Sequence, residues 1–386
     1  MSTSLTLPVK ELKRVIMLCQ SYSDGSTRKS TISQLSNILL SIEKNLLQLT
    51  SSHLNVSTIV RTSEVSSTSS GIIAVPGKLF TDIVRELPDG EVSITLEKNA
   101  RIRIICGPVD LKINGESSDS YPVIPGVSFE PKEKINSDDL KRIFVKTLHA
   151  ASNEENRFVL NGICVHKVVD GDIDLIRAAS TDGFRLATSS IPFVNIFGDK
   201  GEEIIVPKKS ISSIVSFLDD VNGEQVLVGV EKGFFVISHK TGKCAVALVD
   251  GEYPSYERAI PSHDGKVISI APGSLISPLK RVSLFVSTEK TPLVALKFTE
   301  GNLEIAGASS LQGEGKEDIE VDYNGPEVTL AFNSKYLLDA VNNFSESPSL
   351  ALEFFSDDVN LPLIVRSEGD TSSQSLVMSV NLQNEE

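Results

Sequence analysis

A threefold internal repeat constrains the fold of this 386-residue chain more than any other feature. One tetrapeptide recurs at steps of 128 and 139 residues, as Leu12-Lys-Arg-Val15, Leu140-Lys-Arg-Ile143 and Leu279-Lys-Arg-Val282. A second series recurs at steps of 131 and 126 residues, as Ile73–Pro76, Ile204–Pro207 and Leu330–Asn333. A period near one third of the chain excludes short-repeat solenoids and predicts three copies of one domain.

Each copy also contains a weaker half-repeat, since Leu7-Pro-Val-Lys10 resembles Val75-Pro-Gly-Lys78. Apolar residues at helical spacing predict six helices, in the windows 8–20, 76–87, 137–149, 207–218, 273–283 and 333–344. Runs rich in β-branched residues, such as Val92–Leu96, lie between them and predict strands. One helix followed by several strands, twice per domain, predicts an α+β fold with helices packed on antiparallel sheets.

Stretches rich in Pro and Ser at 116–137 and 250–266 interrupt this periodicity and predict linkers. We therefore expect domains over residues 1–127, 128–262 and 263–386. Two further runs, Ser63–Ser70 and Leu311–Asp318, are predicted to be exposed loops because Ser or Gly and Glu dominate them.

The four cysteines and the N-terminus bear on the compartment. Cys19, Cys106, Cys164 and Cys244 form no CxxC pair and lie in or beside apolar runs, which predicts buried free thiols. The first residues lack a basic leader followed by an apolar segment, and no 18 uncharged apolar residues run together. We expect a cytoplasmic protein without a membrane span.

Positive charge is concentrated in the predicted helices. The chain carries −14 overall, yet the six helix windows together carry +7 and the remaining residues −21. If the basic helix faces converge, they form a surface for weak, sequence-independent contact with phosphates. The alternative is that Lys and Arg only solvate exposed helix faces.

Motifs of the common catalytic sites are absent from the sequence. It contains no GxxxxGK[ST], GxGxxG, HExxH or GxSxG, and its five histidines lack ligand spacing. Asp182, in Thr181-Asp-Gly183, is a possible nucleophile, but Asp-Gly after a strand is first a turn signal. The sequence therefore offers no sharp catalytic signature, and we expect no cofactor and no metal.

Several segments closely resemble the bacterial β sliding clamp, the processivity subunit of DNA polymerase III. The most specific are Arg157-Phe-Val-Leu-Asn-Gly162 and Ser180-Thr-Asp-Gly-Phe-Arg-Leu-Ala187. Others follow in order: Ile205–Lys208, Val249–Tyr256 with Arg258, Phe332–Asp339 and Ser375–Met378. The resemblance covers essentially the whole chain, and it implies a non-catalytic protein, not an enzyme, whose three similar clamp domains form half of a closed ring.

The resemblance implies a head-to-tail homodimer that encircles duplex DNA without sequence preference. Its implied partners are the DNA polymerase III catalytic subunit, the clamp loader, ligase, mismatch-repair proteins and translesion polymerases. The DNA-facing residues implied by the family are Lys29, Arg85, Lys141, Arg142, Arg157, Phe158, Lys208 and Lys209. A shared peptide pocket is implied at Leu160, Thr181, Gly183, Arg185, Leu186, Pro254, Arg258, Asn333, Tyr336, Pro362 and Met378.

For the joint between subunits, the resemblance implies Leu111 and Ile113 against Phe285 and Val286. The first-domain edge carries Pro108 and Asp110, and the chain ends Met378-Ser-Val-Asn-Leu382 before four further residues; relatives commonly differ at both places. These departures support an alternative, a monomeric interaction scaffold of the same fold that does not encircle DNA. A hydrolase that uses Asp182 is a third hypothesis.

Overall fold

Among the residues that the computed structural model describes, one structural unit, a strand that leads into a helix and then three further strands, occurs six times. The model describes residues 3–19, 36–53, 55–122, 124, 126–154, 156–198, 201–355 and 360–380, without the side chains of His53 and Ser120. We call the unit a βαβββ repeat. Two such repeats lie in each of the three sequence copies, so the predicted half-repeat is confirmed.

The first two repeats comprise β1 Thr3–Pro8, α1 Val9–Cys19, β2 Asn37–Glu43, β3 Leu46–His53, β4 Val56–Thr62, the short β5 Ser66–Ser67, β6 Gly71–Pro76, α2 Gly77–Glu86, β7 Glu91–Glu97, β8 Arg101–Cys106 and β9 Val109–Asn114. The next two comprise β10 Glu133–Asn136, α3 Ser137–Leu148, β11 Gly162–Asp170, β12 Ile173–Thr181, β13 Arg185–Pro192, β14 Glu203–Pro207, α4 Ile211–Val221, β15 Gln225–Glu231, β16 Phe234–His239 and β17 Gly242–Ala247. The last two comprise β18 Lys266–Ile270, α5 Pro272–Val286, β19 Leu293–Thr299, β20 Asn302–Ser309, β21 Gly313–Glu320, β22 Val328–Asn333, α6 Ser334–Asn342, β23 Leu350–Phe354, β24 Leu363–Ser367 and β25 Ser373–Val377.

The chain divides into two compact units, each made of two chain segments. Unit I contains residues 1–141 and 194–249, and unit II contains residues 142–193 and 250–386. In unit I two sheets have the orders β5-β1-β7-β8-β9 and β10-β15-β16-β17-β4-β3-β2-β6; the strands that belong to unit II follow the orders β11-β12-β13-β25-β24-β23-β18 and β21-β20-β19-β22. Neighbouring strands pair antiparallel, as predicted.

Two strand pairs join repeats that belong to different sequence copies. In unit I, β17 pairs with β4. In unit II, β13 pairs with β25. Because pairing crosses the copies, the compact units do not follow the repeat borders, and the domain limits 1–127, 128–262 and 263–386 remain predictions.

Each unit has a core in which the apolar faces of helices pack on the buried residues of its strands. In unit I, Leu12 and Val15 of α1 and Phe80 of α2 are fully buried against the sheets. In unit II, Leu279 of α5 and Leu337 of α6 are equally buried. The helical spacing in the sequence therefore predicted the buried faces correctly.

Two sequence predictions about local structure have definite outcomes. The run Leu311–Asp318 was wrongly predicted as a loop, because most of it lies in β21, which pairs with β20 along eight residues. The four cysteines are free and buried, as predicted, and burial raises the pKa of the Cys19 and Cys244 thiols to about 12.

Within the described part of the chain, no helix has both the length and the apolar character needed to cross a membrane. The same residues contain no cluster of three His, Cys, Asp or Glu side chains placed to hold a metal ion.

Candidate nucleic-acid interface and peptide pocket

Several basic side chains of the helices are held in ion pairs. The Arg14 guanidinium on α1 donates to both Asp220 carboxylate oxygens on α4, at 2.6 and 2.7 Å, and also binds Glu11. Arg281 on α5 binds both Glu317 oxygens on β21 at 2.6 Å. These charges are largely neutralised, so they contribute less to any phosphate-binding surface than their number suggests.

The observed helix bounds also lower the positive charge. Asp219 and Asp220 lie beyond the predicted window 207–218 but within α4, and Asp219 forms an ion pair with Lys141. Counted over the observed helices and the 3₁₀ turn Lys208–Ser210, the charge is +5 rather than +7. The basic bias of the helices persists, but it is smaller than the sequence windows predicted.

The predicted DNA-facing residues have different environments. Arg85 on α2 and Lys209 before α4 are exposed, whereas Lys208 is half-buried. Arg142 donates to Ser372 Oγ at 2.8 Å and to the Ser190 carbonyl at 3.2 Å, so it also has a structural task in unit II. Lys29 lies outside the described residues.

The loop after α3 presents Arg157 and Phe158 to solvent. Phe158 is 60% exposed, although phenylalanine is among the residue types most often buried. Arg157 forms an ion pair with Glu154 at 3.1 Å and donates to the Asp182 carbonyl at 3.1 Å. The loop is therefore attached to the turn between β12 and β13.

Arg185, at the start of β13, is the most buried charge among the predicted pocket residues. Its guanidinium binds Asp182 at 2.9 Å and Asp339 of α6 at 2.7 Å, and only 7% of its side chain is exposed. It also lies over the Tyr336 ring, 4.3 Å from the centroid. These contacts bring the turn at 182–185 and helix α6 together.

The turn Thr181–Arg185 is fixed by its own polar groups. Thr181 Oγ1 donates to the Arg185 carbonyl at 2.6 Å and accepts from the Gly183 N–H at 3.0 Å. Asp182 Oδ1 accepts from the N–H groups of Phe184 and Arg185, at 3.0 and 3.2 Å. Gly183 has φ +94°, a conformation that side chains rarely adopt. The predicted turn is confirmed, and the carboxylate of Asp182 is engaged in holding it.

The N-terminus of α6 supplies the opposite wall. Asn333 caps the helix, since its Oδ1 accepts from the N–H groups of Lys335 and Tyr336, at 3.1 and 3.3 Å. The Tyr336 ring stacks on Phe184, with the centroids 6.4 Å apart. Met378 donates its N–H to the Phe184 carbonyl at 3.0 Å, so the end of β25 adjoins the same turn.

The remaining predicted pocket residues surround this centre. Leu363 pairs with Val377, which places the buried Pro362 opposite Met378. Leu160 is half-buried, Pro254 and Arg258 are exposed, and Leu186 is buried with its side chain in the core. Hydrogen bonds and ring contacts connect the turn residues Thr181, Gly183 and Arg185 with Asn333, Tyr336 and Met378.

Comparison with known proteins then decides the family. Models of the N-terminal, central and C-terminal domains of the DNA polymerase III beta subunit match residues 20–125, 134–255 and 257–381. The beta sliding clamp of Caulobacter vibrioides is 30% identical over 342 residues, which cover 88% of this chain and 90% of that protein. This chain belongs to the DNA polymerase III beta subunit family, the beta sliding clamps.

Two further similarities extend over nearly the whole length. The beta sliding clamp of Vibrio cholerae is 27% identical over 379 residues, which cover 96% of this chain and 99% of that protein. A crystal structure of the C. crescentus clamp has a TM-score of 0.87 at 28% identity and covers 99% of both chains. The fold is the α+β clamp fold of three clamp domains, and the family function is that of a DNA sliding clamp, a processivity factor in replication rather than a catalytic enzyme.

Two clamp residues at the pocket were missed by the sequence analysis. Phe184 is 57% exposed and stacks on Tyr336, and Asp339 binds Arg185 from 154 positions away. The signal for Phe184 was present, since a large apolar residue directly follows the Asp-Gly turn. Nothing local in the sequence links Asp339 to Arg185.

The four residues predicted at the clamp's subunit joint are not equally accessible. Leu111 on β9 is 38% exposed and Phe285 on α5 is half-buried, but Ile113 and Val286 are only 2% and 1% exposed. Ile113 and Val286 therefore belong mainly to the cores of their own units. Leu284, which the sequence analysis did not select, is 68% exposed beside Phe285.

Proposed function

We propose that this chain acts as a cytoplasmic, head-to-tail homodimeric ring that encircles duplex DNA and tethers DNA polymerase III for processive synthesis. The supporting observation is the pairing of the last strand of each βαβββ repeat. The first repeat pairs with the fourth through β4 and β17, and the third pairs with the sixth through β13 and β25. By the same rule the fifth repeat pairs with the second repeat of another copy, through β21 and β9.

The last strands of the second and fifth repeats, β9 and β21, have the features of a joint between two copies of the chain. Both β9 and β21 are edges of their sheets, and long exposed edges favour pairing with another chain. Leu111 pairs with Ile104, whose side chain is fully buried, yet Leu111 itself is partly exposed. Phe285 lies on Gly315 of β21 so closely that a Cβ there would be 2.5 Å from its ring. Partly exposed apolar side chains therefore lie at both edges.

This contact is heterologous, because different surfaces of the two copies meet. Such contacts form a closed ring if the rotation closes and a filament if it does not. Retention of DNA by a closed ring is topological, so a modest charge of +5 on the helices suits weak contacts that permit sliding. We assign these contacts to Arg85, Lys141, Arg142, Arg157, Phe158, Lys208 and Lys209, and to Lys29 outside the described residues.

The pocket around Arg185 and Tyr336 is our proposed binding site for short linear motifs of partner proteins. These partners include the polymerase III catalytic subunit, the clamp loader, ligase, mismatch-repair proteins and translesion polymerases. The exposed Phe184 and the half-buried Tyr336 and Met378 offer apolar surface. Burial of a Leu or Phe side chain of the peptide contributes roughly 1.5–3 kcal/mol each, which suits exchangeable partners.

The ring is tested on a nicked circular plasmid. The chain is loaded by its cognate ATP-dependent clamp loader, and retention at high salt is measured before and after the circle is cut once. A topological ring is released by linearisation. Equal, salt-sensitive binding to both forms would indicate an ordinary electrostatic binder. Retention on neither, with a loader active on another clamp, would favour the monomeric scaffold.

The pocket is tested with the double variant Tyr336→Ala, Met378→Ala. Loss of both side chains should weaken a fluorescein-labelled peptide that carries adjacent Leu and Phe residues by at least about tenfold, because its apolar contacts are removed. Fluorescence anisotropy gives the affinity, and sedimentation checks that the oligomeric state is unchanged. Unaltered peptide affinity would mean that the pocket has been misplaced.

A further inference from the structure

The segment 253–258, which carries two of the predicted pocket residues, is anchored by two buried tyrosines. Tyr253 and Tyr256 are 9% and 6% exposed, whereas Pro254 and Arg258 beside them are exposed. The alternation means that the tyrosines hold the segment to unit II while Pro254 and Arg258 face outward. The position of these two outward residues depends on what the tyrosines bind.

Each tyrosine hydroxyl has a defined partner on the sheet. The Thr181 N–H donates to Tyr253 Oη at 3.0 Å, which ties the segment to the turn that ends at Arg185. Tyr256 Oη and His166 Nε2 on β11 share a hydrogen bond of 2.7 Å, and the two rings meet edge to face with centroids 5.7 Å apart. One anchor therefore lies at the pocket turn and the other further along the sheet.

The Tyr256 hydroxyl remains protonated at neutral pH. Burial raises the pKa of Tyr256 well above its ordinary value, and the nearby Arg177 only partly opposes this. Arg177 is directly opposite His166 in the β11–β12 register and donates to Ser190 Oγ at 3.0 Å. The Tyr256 hydroxyl is a satisfied group because it is hydrogen-bonded to His166, and its removal leaves the imidazole nitrogen without this partner.

We propose that the Tyr256–His166 hydrogen bond is a positioning device for the peptide pocket, because it fixes the segment that presents Pro254 and Arg258. Tyr256 and His166 are thus positioning residues that need not touch the peptide. This inference depends on the proposed pocket. It adds that two residues outside the pocket lining, Tyr256 and His166, partly determine the affinity of the pocket for the peptide.

The test is a double-mutant cycle with Tyr256→Phe and His166→Leu, read by anisotropy with the same fluorescein-labelled Leu-Phe peptide. Each single variant should weaken binding by about three- to tenfold, the loss expected for one buried hydrogen bond. The double variant should be no weaker than Tyr256→Phe alone, because loss of the hydroxyl already breaks the bond to His166. His166→Gln, which retains a hydrogen-bonding group, should restore part of the affinity.

The matched control is Tyr323→Phe. Tyr323 is also buried in unit II, and its hydroxyl donates to the Pro326 carbonyl at 2.7 Å. This variant should lower the melting temperature about as much as Tyr256→Phe while peptide affinity stays at the wild-type value. If a general loss of stability lowered the peptide affinity, Tyr323→Phe and Tyr256→Phe would both bind the peptide more weakly.

The outcomes separate this inference from the pocket itself. Wild-type affinity for Tyr256→Phe, or additive losses in the cycle, would overturn the positioning role. If Tyr256→Phe does not fold, the two His166 variants decide. Wild-type affinity for His166→Leu would overturn the positioning role, and weaker binding that His166→Gln partly restores would support it. If Tyr336→Ala, Met378→Ala fails to weaken the peptide, the proposed pocket is wrong and the inference falls with it.

Discussion

Individual charged residues that are largely buried in this clamp are bonded to opposite charges. Arg185 lies between Asp182 and Asp339, and Lys243, 4% exposed, binds Glu130 at 2.5 Å and two backbone carbonyls near it. Removal of one member of such a pair leaves the other charge buried without its partner, which destabilises more than the pair itself stabilises. Single residues of this kind connect segments that are far apart in the sequence.

The contribution of the Glu11 charge on α1 to the stability of the fold depends on pH. Burial opposes its charge, but hydrogen bonds from Arg14 and Thr62 and the charge of Arg14 outweigh that effect and lower the pKa of Glu11 below its ordinary 4.5. A lowered carboxyl pKa stabilises the fold above pH 4.5, and this contribution is lost as the pH falls through the folded-state value.

We therefore expect Glu11→Gln to reduce the free energy of unfolding by about 1–2 kcal/mol at pH 7, and by progressively less as the pH falls below 4.5 and through the lowered pKa of Glu11. Urea denaturation at several pH values measures the difference from the wild type. Glu43→Gln, at an exposed position at the end of β2, is the control and should show no such convergence. A difference that is constant with pH would contradict the role of the Glu11 charge.

Among the secondary-structure elements, the helices were predictable from sequence and some strands were not. Each helix has a period of apolar residues and lies within a few residues of its predicted window, as α1 does with Leu12, Val15 and Ile16 buried. Strand β21 has no such signal, because its residues are mostly Gly, Glu and Asp and its stability comes from backbone pairing with β20. The site was predictable only where local motifs form it, as at Thr181–Arg185.

The edge strands β9 and β21 give a prediction about assembly. Leu111→Glu places a charge on an apolar edge position, and burial of an unpaired charge is costly. If β9 and β21 join two copies, this change should convert a species of about twice 41.8 kDa into one of 41.8 kDa by light scattering. Val169→Glu, at a 66% exposed aliphatic residue on β11, should leave the mass unchanged. Equal masses for wild type and Leu111→Glu would remove Leu111 from the joint.

At the scale of the whole molecule, the three family domains and the two compact units divide the chain differently. The central family domain, matched over 134–255, contributes β17 to a sheet of unit I and β13 to a sheet of unit II. Five residue pairs join β17 to β4, and five join β13 to β25. The family domains therefore follow the internal repeats of the sequence, whereas strand pairing within the sheets determines which segments are stable together.

This difference predicts the behaviour of an excised central domain. A fragment over 128–262 loses both cross-copy strand pairs and exposes β13 and β17 as new sheet edges, which are templates for aggregation. We expect the fragment to aggregate at micromolar concentration and to lack a sigmoidal urea transition by circular dichroism, whereas the full chain unfolds cooperatively. A monomeric fragment with a sharp transition would mean that the central repeats are stable without β4 and β25, so that the repeat border, rather than the sheet, defines the folding unit.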